Sequence, residues 1–172
     1  NMSIVDFTYN RPRPNDNDAP LKTSQLLNVP YYSVDIVHAG GNYMTDGYGT
    51  SASSNLVYEE NAMSNDALDN LMNAYYGINT YHVIADPNNT YIEHIDCWGK
   101  YLSPTKVLIR EVPISHPQYD EVESAAIYFS EALNFWGEPW GVFRVWTPND
   151  QPYTNSIIVN NKVLVPIVNS SW

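Results

Sequence analysis

The feature that most constrains this chain is a pattern that recurs along it: a polar cluster, a strand, a tight turn, then a second strand rich in Val, Leu and Ile. The second strands are expected at Asn55-Leu56-Val57-Tyr58, Lys106-Val107-Leu108-Ile109 and Lys162-Val163-Leu164-Val165, roughly fifty residues apart. Ser103-Pro104-Thr105 and Asn160-Asn161 supply turns before two of them, and Asn tolerates the left-handed backbone that hairpins use. A unit of this length with its own helix is a supersecondary module, and such modules stack or close a ring. The fold class expected is therefore α/β.

Two segments show helical spacing. One is N-capped by Ser64, places Leu68, Leu71, Met72 and Tyr75 on one face, and stops at Gly77. The other follows Ser115 and Pro117, carries Asp120, Glu121 and Glu123 early, and repeats apolar residues at Val122, Ala126, Phe129, Leu133 and Trp136. Both are expected to cover a sheet. Ser3 to Phe7 reads as a strand with no evident partner, and Asn169-Ser170-Ser171-Trp172 as a stop without a capping element. Repeat arrays need closed ends, so residues 1–172 are expected to be the central part of a larger domain, incomplete at both ends.

The formal charge of −11 repels a phosphate backbone, which argues against nucleic acid and mildly favours cationic partners. No apolar run approaches the roughly 20 residues of a membrane-spanning helix. The single cysteine, Cys97, excludes an internal disulfide and a CxxC metal site, and is read as a packing residue.

Three polar clusters carry candidate chemistry. In Asn89-Thr90-Tyr91-Ile92-Glu93-His94-Ile95-Asp96-Cys97-Trp98, an extended backbone would turn His94 and Asp96 to the same face. A base beside a carboxylate can ligate a metal, activate a nucleophile or grip a cation, or simply hold a loop. His38, His82 and His116 have no ligand spacing with His94, so no metal is expected at this pair. The string Gly40-Gly41-Asn42-Tyr43-Met44-Thr45-Asp46-Gly47-Tyr48-Gly49-Thr50-Ser51 contains paired glycines that permit a close approach or a positive φ. Gln151-Pro152-Tyr153-Thr154-Asn155-Ser156 offers amides and hydroxyls, either to a site or to a capped turn.

In this order and spacing, the three strings resemble the guanidine-modifying enzymes of the pentein superfamily, in the branch of the agmatine deiminases and bacterial peptidylarginine deiminases. The resemblance implies a five-module α/β propeller with the active site on its axis, of which this chain would cover about three modules. Tyr9-Asn10-Arg11-Pro12-Arg13-Pro14-Asn15-Asp16 resembles the peptidylarginine enzymes in particular, where the two arginines hold the carboxylate of a C-terminal arginine. Guanidinium forks suit carboxylates, although Arg11 and Arg13 also stand near Asp6, Asp16 and Asp18. Ala39 stands where agmatine deiminases usually have glutamate, which disfavours agmatine.

The resemblance further implies His94, Asp96 and Asn155 as catalytic residues, with Arg11, Arg13, Tyr91 and Ile92 binding substrate and no cofactor required. Asn15-Asp16-Asn17-Asp18 carries enough oxygens for weak calcium binding only. The implied reaction converts peptidyl arginine to citrulline and ammonia through attack by a cysteine thiolate. The family's nucleophile lies beyond Pro166 and its first guanidinium-binding aspartate upstream of the Arg-Pro-Arg loop, so this chain alone is expected to be inactive. The implied partners are arginine-containing peptides or proteins and the remaining parts of the enzyme, in a secreted or cell-envelope setting. An agmatine deiminase-like hydrolase and a dead arginine-binding module are the alternative readings.

Overall fold

The computed structural model describes residues 2–89 and 91–168. The expected C-terminal stop at residues 169–172 falls outside them. The chain opens with strand β1 (Ile4–Tyr9), helices α1 (Pro14–Asn17) and α2 (Ala19–Leu27), and strand β2 (Tyr31–His38). Contrary to the unpartnered reading of Ser3 to Phe7, β1 pairs parallel with β2. The missed partner alternates Val34, Ile36 and His38 inward, the period-2 pattern of a half-buried strand.

Two units then repeat one plan. In the first, β3 (Met44–Thr45) pairs antiparallel with β4 (Thr50–Ser54), and helices α3 (Leu56–Glu59) and α4 (Asn65–Tyr76) cross to β5 (Thr80–Ile84), parallel to β4. In the second, β6 (Gly99–Ser103) turns through Ser103-Pro104-Thr105 into β7 (Lys106–Glu111), and α5 (Tyr119–Glu131) crosses to the parallel β8 (Gly141–Trp146). A hairpin of β9 (Ile157–Val159) and β10 (Lys162–Leu164) starts the same plan again, with Asn160 at φ 55 in its turn. The result is a mixed α/β fold of small separate sheets.

The expected strand at Asn55-Leu56-Val57-Tyr58 is a correction: Asn55 is helical and Leu56–Glu59 form α3. The strand of that unit is the preceding Thr-Ser-Ala-Ser-Ser, buried at every position. A strand buried on both faces needs residues that fit, and here small hydroxyl side chains fit, so an apolarity search passes over it. Val57 instead drops into the core with Val34, Ile36, Leu68, Met72 and Ile78.

Helix α4 follows expectation. Ser64 accepts a hydrogen bond from Ala67 N at 3.3 Å, Leu68 and Met72 are buried, and Gly77 closes the helix at φ 68. The Ser64→Ala protein should lose about 1 kcal/mol of stability, read as a lower urea midpoint with an unchanged slope. Helix α5 buries Val122, Ala125, Ala126 and Phe129 against β7 and β8. Leu133 and Trp136, expected on its apolar face, lie past its end and are each 52% exposed. There Asn134 Oδ1 accepts from Trp136 N and Glu138 N, turning the chain so that Trp140 N reaches Ala132 O and the indole stacks on Tyr101 at 4.3 Å. Among the described residues no helix is long and apolar enough to cross a membrane.

Candidate functional site

Three separate loops converge on one cleft. The first runs from Tyr9 to α1, where Asn17 Oδ1 accepts from Tyr9 N at 2.9 Å and Arg13 N donates to Arg11 O at 2.7 Å. Pro14 sets the first helical φ of α1, so the Arg-Pro-Arg segment is held between strand and helix. Arg11 Nη2 reaches across to Ile92 O at 3.5 Å. Arg13 lies 3.8 Å from Asp16 with both side chains exposed, a weak pair that leaves its guanidinium available. Asn15-Asp16-Asn17-Asp18 is taken up in α1 and its cap, and among the described residues no group of three or more His, Cys, Asp or Glu is placed to hold a metal ion.

The second loop carries His94 and Asp96. The expected extended backbone is corrected here: His94 N-caps a 3-10 turn, Ile95–Cys97, and Glu93 before it sits at φ 55. Convergence of the pair therefore comes from the turn and its anchors. Buried Asn42 accepts two backbone bonds on its Oδ1, from Ser54 N at 2.8 Å and Ile95 N at 3.1 Å. Ser54 Oγ donates to Glu93 O, and Thr154 Oγ1 donates to Asp96 O at 3.0 Å. The other two polar clusters of the sequence thus each contribute an anchor to this turn, Asn42 and Thr154.

Gly41 explains the paired glycines. Neither Gly40 nor Gly41 has a positive φ. A Cβ on Gly41 would stand 2.8 Å from His94 Nδ1 and 2.8 Å from Asp96 Oδ2, so the absent side chain is what leaves room for the pair. The close approach, rather than backbone freedom, is the reason for glycine there.

The third loop, between β8 and β9, places Asn155 at the cleft while Thr147 bonds Glu111 O and Asp150 pairs with the buried Arg110. Together the loops enclose about 340 Å³ lined by Tyr9, Arg11, Arg13, Tyr91, Ile92, His94, Asp96, Cys97 and Asn155. All seven residues singled out in the sequence lie on this lining. Two were not foreseen: Tyr9, adjacent to the arginine string, and Cys97, read as packing. Cys97 does pack beside the core formed by Ile95, Trp98 and Ile109, but it also lines the cleft and donates its thiol to Asp96 Oδ1 at 3.7 Å.

Electrostatics separate these groups. Burial, with the Arg11 charge next, pushes the His94 pKa down and favours neutral imidazole. Burial raises Asp96, the Cys97 hydrogen bond opposing it. The Cys97 thiol is pushed up to about 12 by burial and then by the Asp96 charge, so it is not a thiolate near neutral pH. A cleft with two guanidinium groups at one side and a half-buried carboxylate beside a neutral base can accept a ligand that is anionic at one end and cationic at the other.

A further histidine, His38 at the end of β2, is 1% exposed between the rings of Phe7 and Tyr43. Burial first and the neighbouring His94 second bring its pKa down to about 4. Sequence spacing did not relate His38 to His94; β2 leads into the Gly40–Asn42 turn that supports the pair.

The fold is shared with solved deiminases. A candidate arginine deiminase from Porphyromonas gingivalis superposes with a TM-score of 0.84 at 19% identity, over 98% of this chain and 58% of that one. For the agmatine deiminase of Enterococcus faecalis the values are 0.76 and 18%, over 95% and 48%. For that of C. jejuni they are 0.74 and 16%, over 95% and 52%. The chain spans about half the length of these proteins. The model of the Porphyromonas-type peptidyl-arginine deiminases matches residues 2–171, and the chain therefore belongs to that family.

Proposed function

We propose that this chain supplies the substrate-binding and acid–base part of an enzyme that hydrolyses the guanidinium of a peptide's C-terminal arginine to a ureido group and ammonia. The observation that carries this reading is the convergence in one cleft of Arg11 and Arg13 with the His94 and Asp96 pair. Arg11 and Arg13 take the peptide carboxylate. Asp96 takes guanidinium nitrogens, and the bound cation offsets the burial that disfavours its charge. Tyr91 and Ile92 flank the aliphatic stem, and Asn155 offers an amide to the reacting group.

In the reaction, neutral His94 takes the proton of a cysteine thiol contributed from outside this chain, and the thiolate attacks the guanidinium carbon. The imidazolium returns that proton to a terminal nitrogen, the C–N bond breaks and ammonia leaves. Neutral His94 then accepts a proton from water as the hydroxyl adds to the thiouronium carbon. The hydroxyl gives up its proton to solvent as the C–S bond breaks, leaving citrulline and a thiolate that the His94 imidazolium reprotonates. Cys97 is unsuited to the nucleophile's part because its thiol holds its proton to about 12. The repeating units correspond in this reading to modules of a five-module propeller, with residues 1–172 as its central part.

The 172-residue chain should bind a peptide ending in arginine with a free carboxylate about tenfold more tightly than its C-terminal amide, measured by calorimetry. Neither peptide, nor one with internal arginine, should yield citrulline by mass spectrometry. Equal affinity for acid and amide removes the carboxylate role of Arg11 and Arg13, and tighter binding of agmatine would favour the agmatine reading instead. Citrulline formed by this chain alone would make Cys97 the nucleophile.

A further inference from the structure

A second cavity of about 310 Å³ adjoins the candidate cleft. The two share Tyr91, Ile92 and Cys97 as common wall, so they are compartments of one depression. The rest of the second compartment is lined in part by Arg110, Asp150 and Pro152. Arg110, on β7, is 4% exposed. Its Nη1 donates to Asn88 Oδ1 at 2.6 Å and its Nη2 to Asp150 Oδ1. His116 Nε2 also lies 3.3 Å from Asp150 Oδ1.

These bonds have two consequences. The guanidinium is neutralised by its own ion pair, so the compartment offers no free positive charge to attract an acidic side chain. The same guanidinium ties the loop before Tyr91 to the loop that carries Asn155, so both walls are fixed before any ligand arrives. Beside these paired polar groups the compartment is lined by Ile92, Cys97, Pro152 and the 89% exposed Tyr91, which together offer it a largely apolar surface.

We propose that this compartment is a subsite for the residue immediately before the substrate arginine and that it favours an uncharged, apolar side chain there. The inference rests on the functional reading above. With the terminal carboxylate on Arg11 and Arg13, the arginine backbone lies at the mouth of the cleft, and the preceding Cα is only about 3.8 Å from it. Tyr91 and Ile92, which flank the arginine stem, are also the boundary that the preceding side chain meets. Apolar burial on a preformed surface then adds affinity without a matching ordering cost.

The test compares three acetylated peptides, Gly-Gly-Leu-Arg, Gly-Gly-Gly-Arg and Gly-Gly-Glu-Arg, each with a free carboxylate, against the 172-residue chain by calorimetry. The leucine peptide should bind about tenfold more tightly than the glycine peptide, and the glutamate peptide no more tightly than glycine. Gln118 also lines the compartment, and Gln118→Trp should bring the leucine-to-glycine ratio close to one. Equal affinity of the leucine and glycine peptides for the unaltered chain would overturn the subsite while leaving the carboxylate reading intact. Tightest binding of the glutamate peptide would overturn its apolar character. Failure of all three peptides to bind would remove the functional reading and the subsite together.

Discussion

The Gly41→Ala protein is expected to bind a peptide ending in arginine about ten- to a hundredfold more weakly while remaining folded. The added methyl group would stand 2.8 Å from both His94 Nδ1 and Asp96 Oδ2 and 3.3 Å from Asp96 Cγ, inside any tolerated contact. Relief by rotation of one side chain is not enough, because the methyl group meets both. The turn beneath them cannot slide freely either: Asn42 holds Ile95 N, Thr154 holds Asp96 O and Ser54 holds Glu93 O. The change must therefore displace the His94 and Asp96 side chains, and losing the charge-assisted hydrogen bonds proposed for Asp96 costs on the order of ten- to a hundredfold in affinity. Calorimetry for affinity and circular dichroism for fold separate this outcome from unfolding. Near-normal affinity would mean that His94 and Asp96 do not receive the guanidinium.

The second large effect is acid sensitivity. His38 titrates at about 4 in the folded protein against 6.5 when unfolded, because burial penalises its charged form and His94 lies nearby. Between those values the unfolded chain holds more protons than the folded one, so stability falls as pH drops through that window and is retained above 6.5. The loss from this one group is about 3 kcal/mol. His82 and His94 are lowered as well and act in the same direction. Asp96 is raised by burial and acts oppositely, its contribution falling as pH rises above the ordinary carboxylate range. Neither ring nitrogen of His38 finds a hydrogen-bond partner among the described residues, and the ring sits among aromatics, so His38→Phe should retain the fold at pH 8. Urea midpoints at pH 8, 6 and 4.5 should fall steeply for the unaltered protein and less steeply for His38→Phe. Identical slopes would show that His38 is not the acid-sensitive group.

Much of the candidate site is legible in the amino-acid order because its residues come as short strings of unusual composition. Arg11-Pro12-Arg13, His94-Ile95-Asp96 and Tyr153-Thr154-Asn155 each join charged or amide groups to turn formers, and the structure brings these strings into one cleft. The geometric reason first given for the His94 and Asp96 pair was nevertheless wrong. Alternation along a strand would align them, whereas a 3-10 turn held by Asn42 and Thr154 does so in fact. Anchors of this kind are poorly visible in sequence because each spends a side chain on a backbone atom 39 to 58 residues away.

The sequence by itself determined the α/β class, the repeat, the helix from Asn65 to Tyr76 with its Ser64 and Gly77 caps, and the turns before β7 and β10. These depend on local rules of periodicity, capping and turn chemistry, which operate within a few residues. Tertiary structure decided that Leu56–Glu59 is helix, since the neighbouring Thr50–Ser54 already fills the central strand position with small side chains. It also decided that Leu133 and Trp136 stay outside the core, that His38 is buried close to His94, and that Gly41 must carry no side chain. Each of these follows from which segments pack together, and local preference yields where long-range burial and close contact cost more than the propensity is worth.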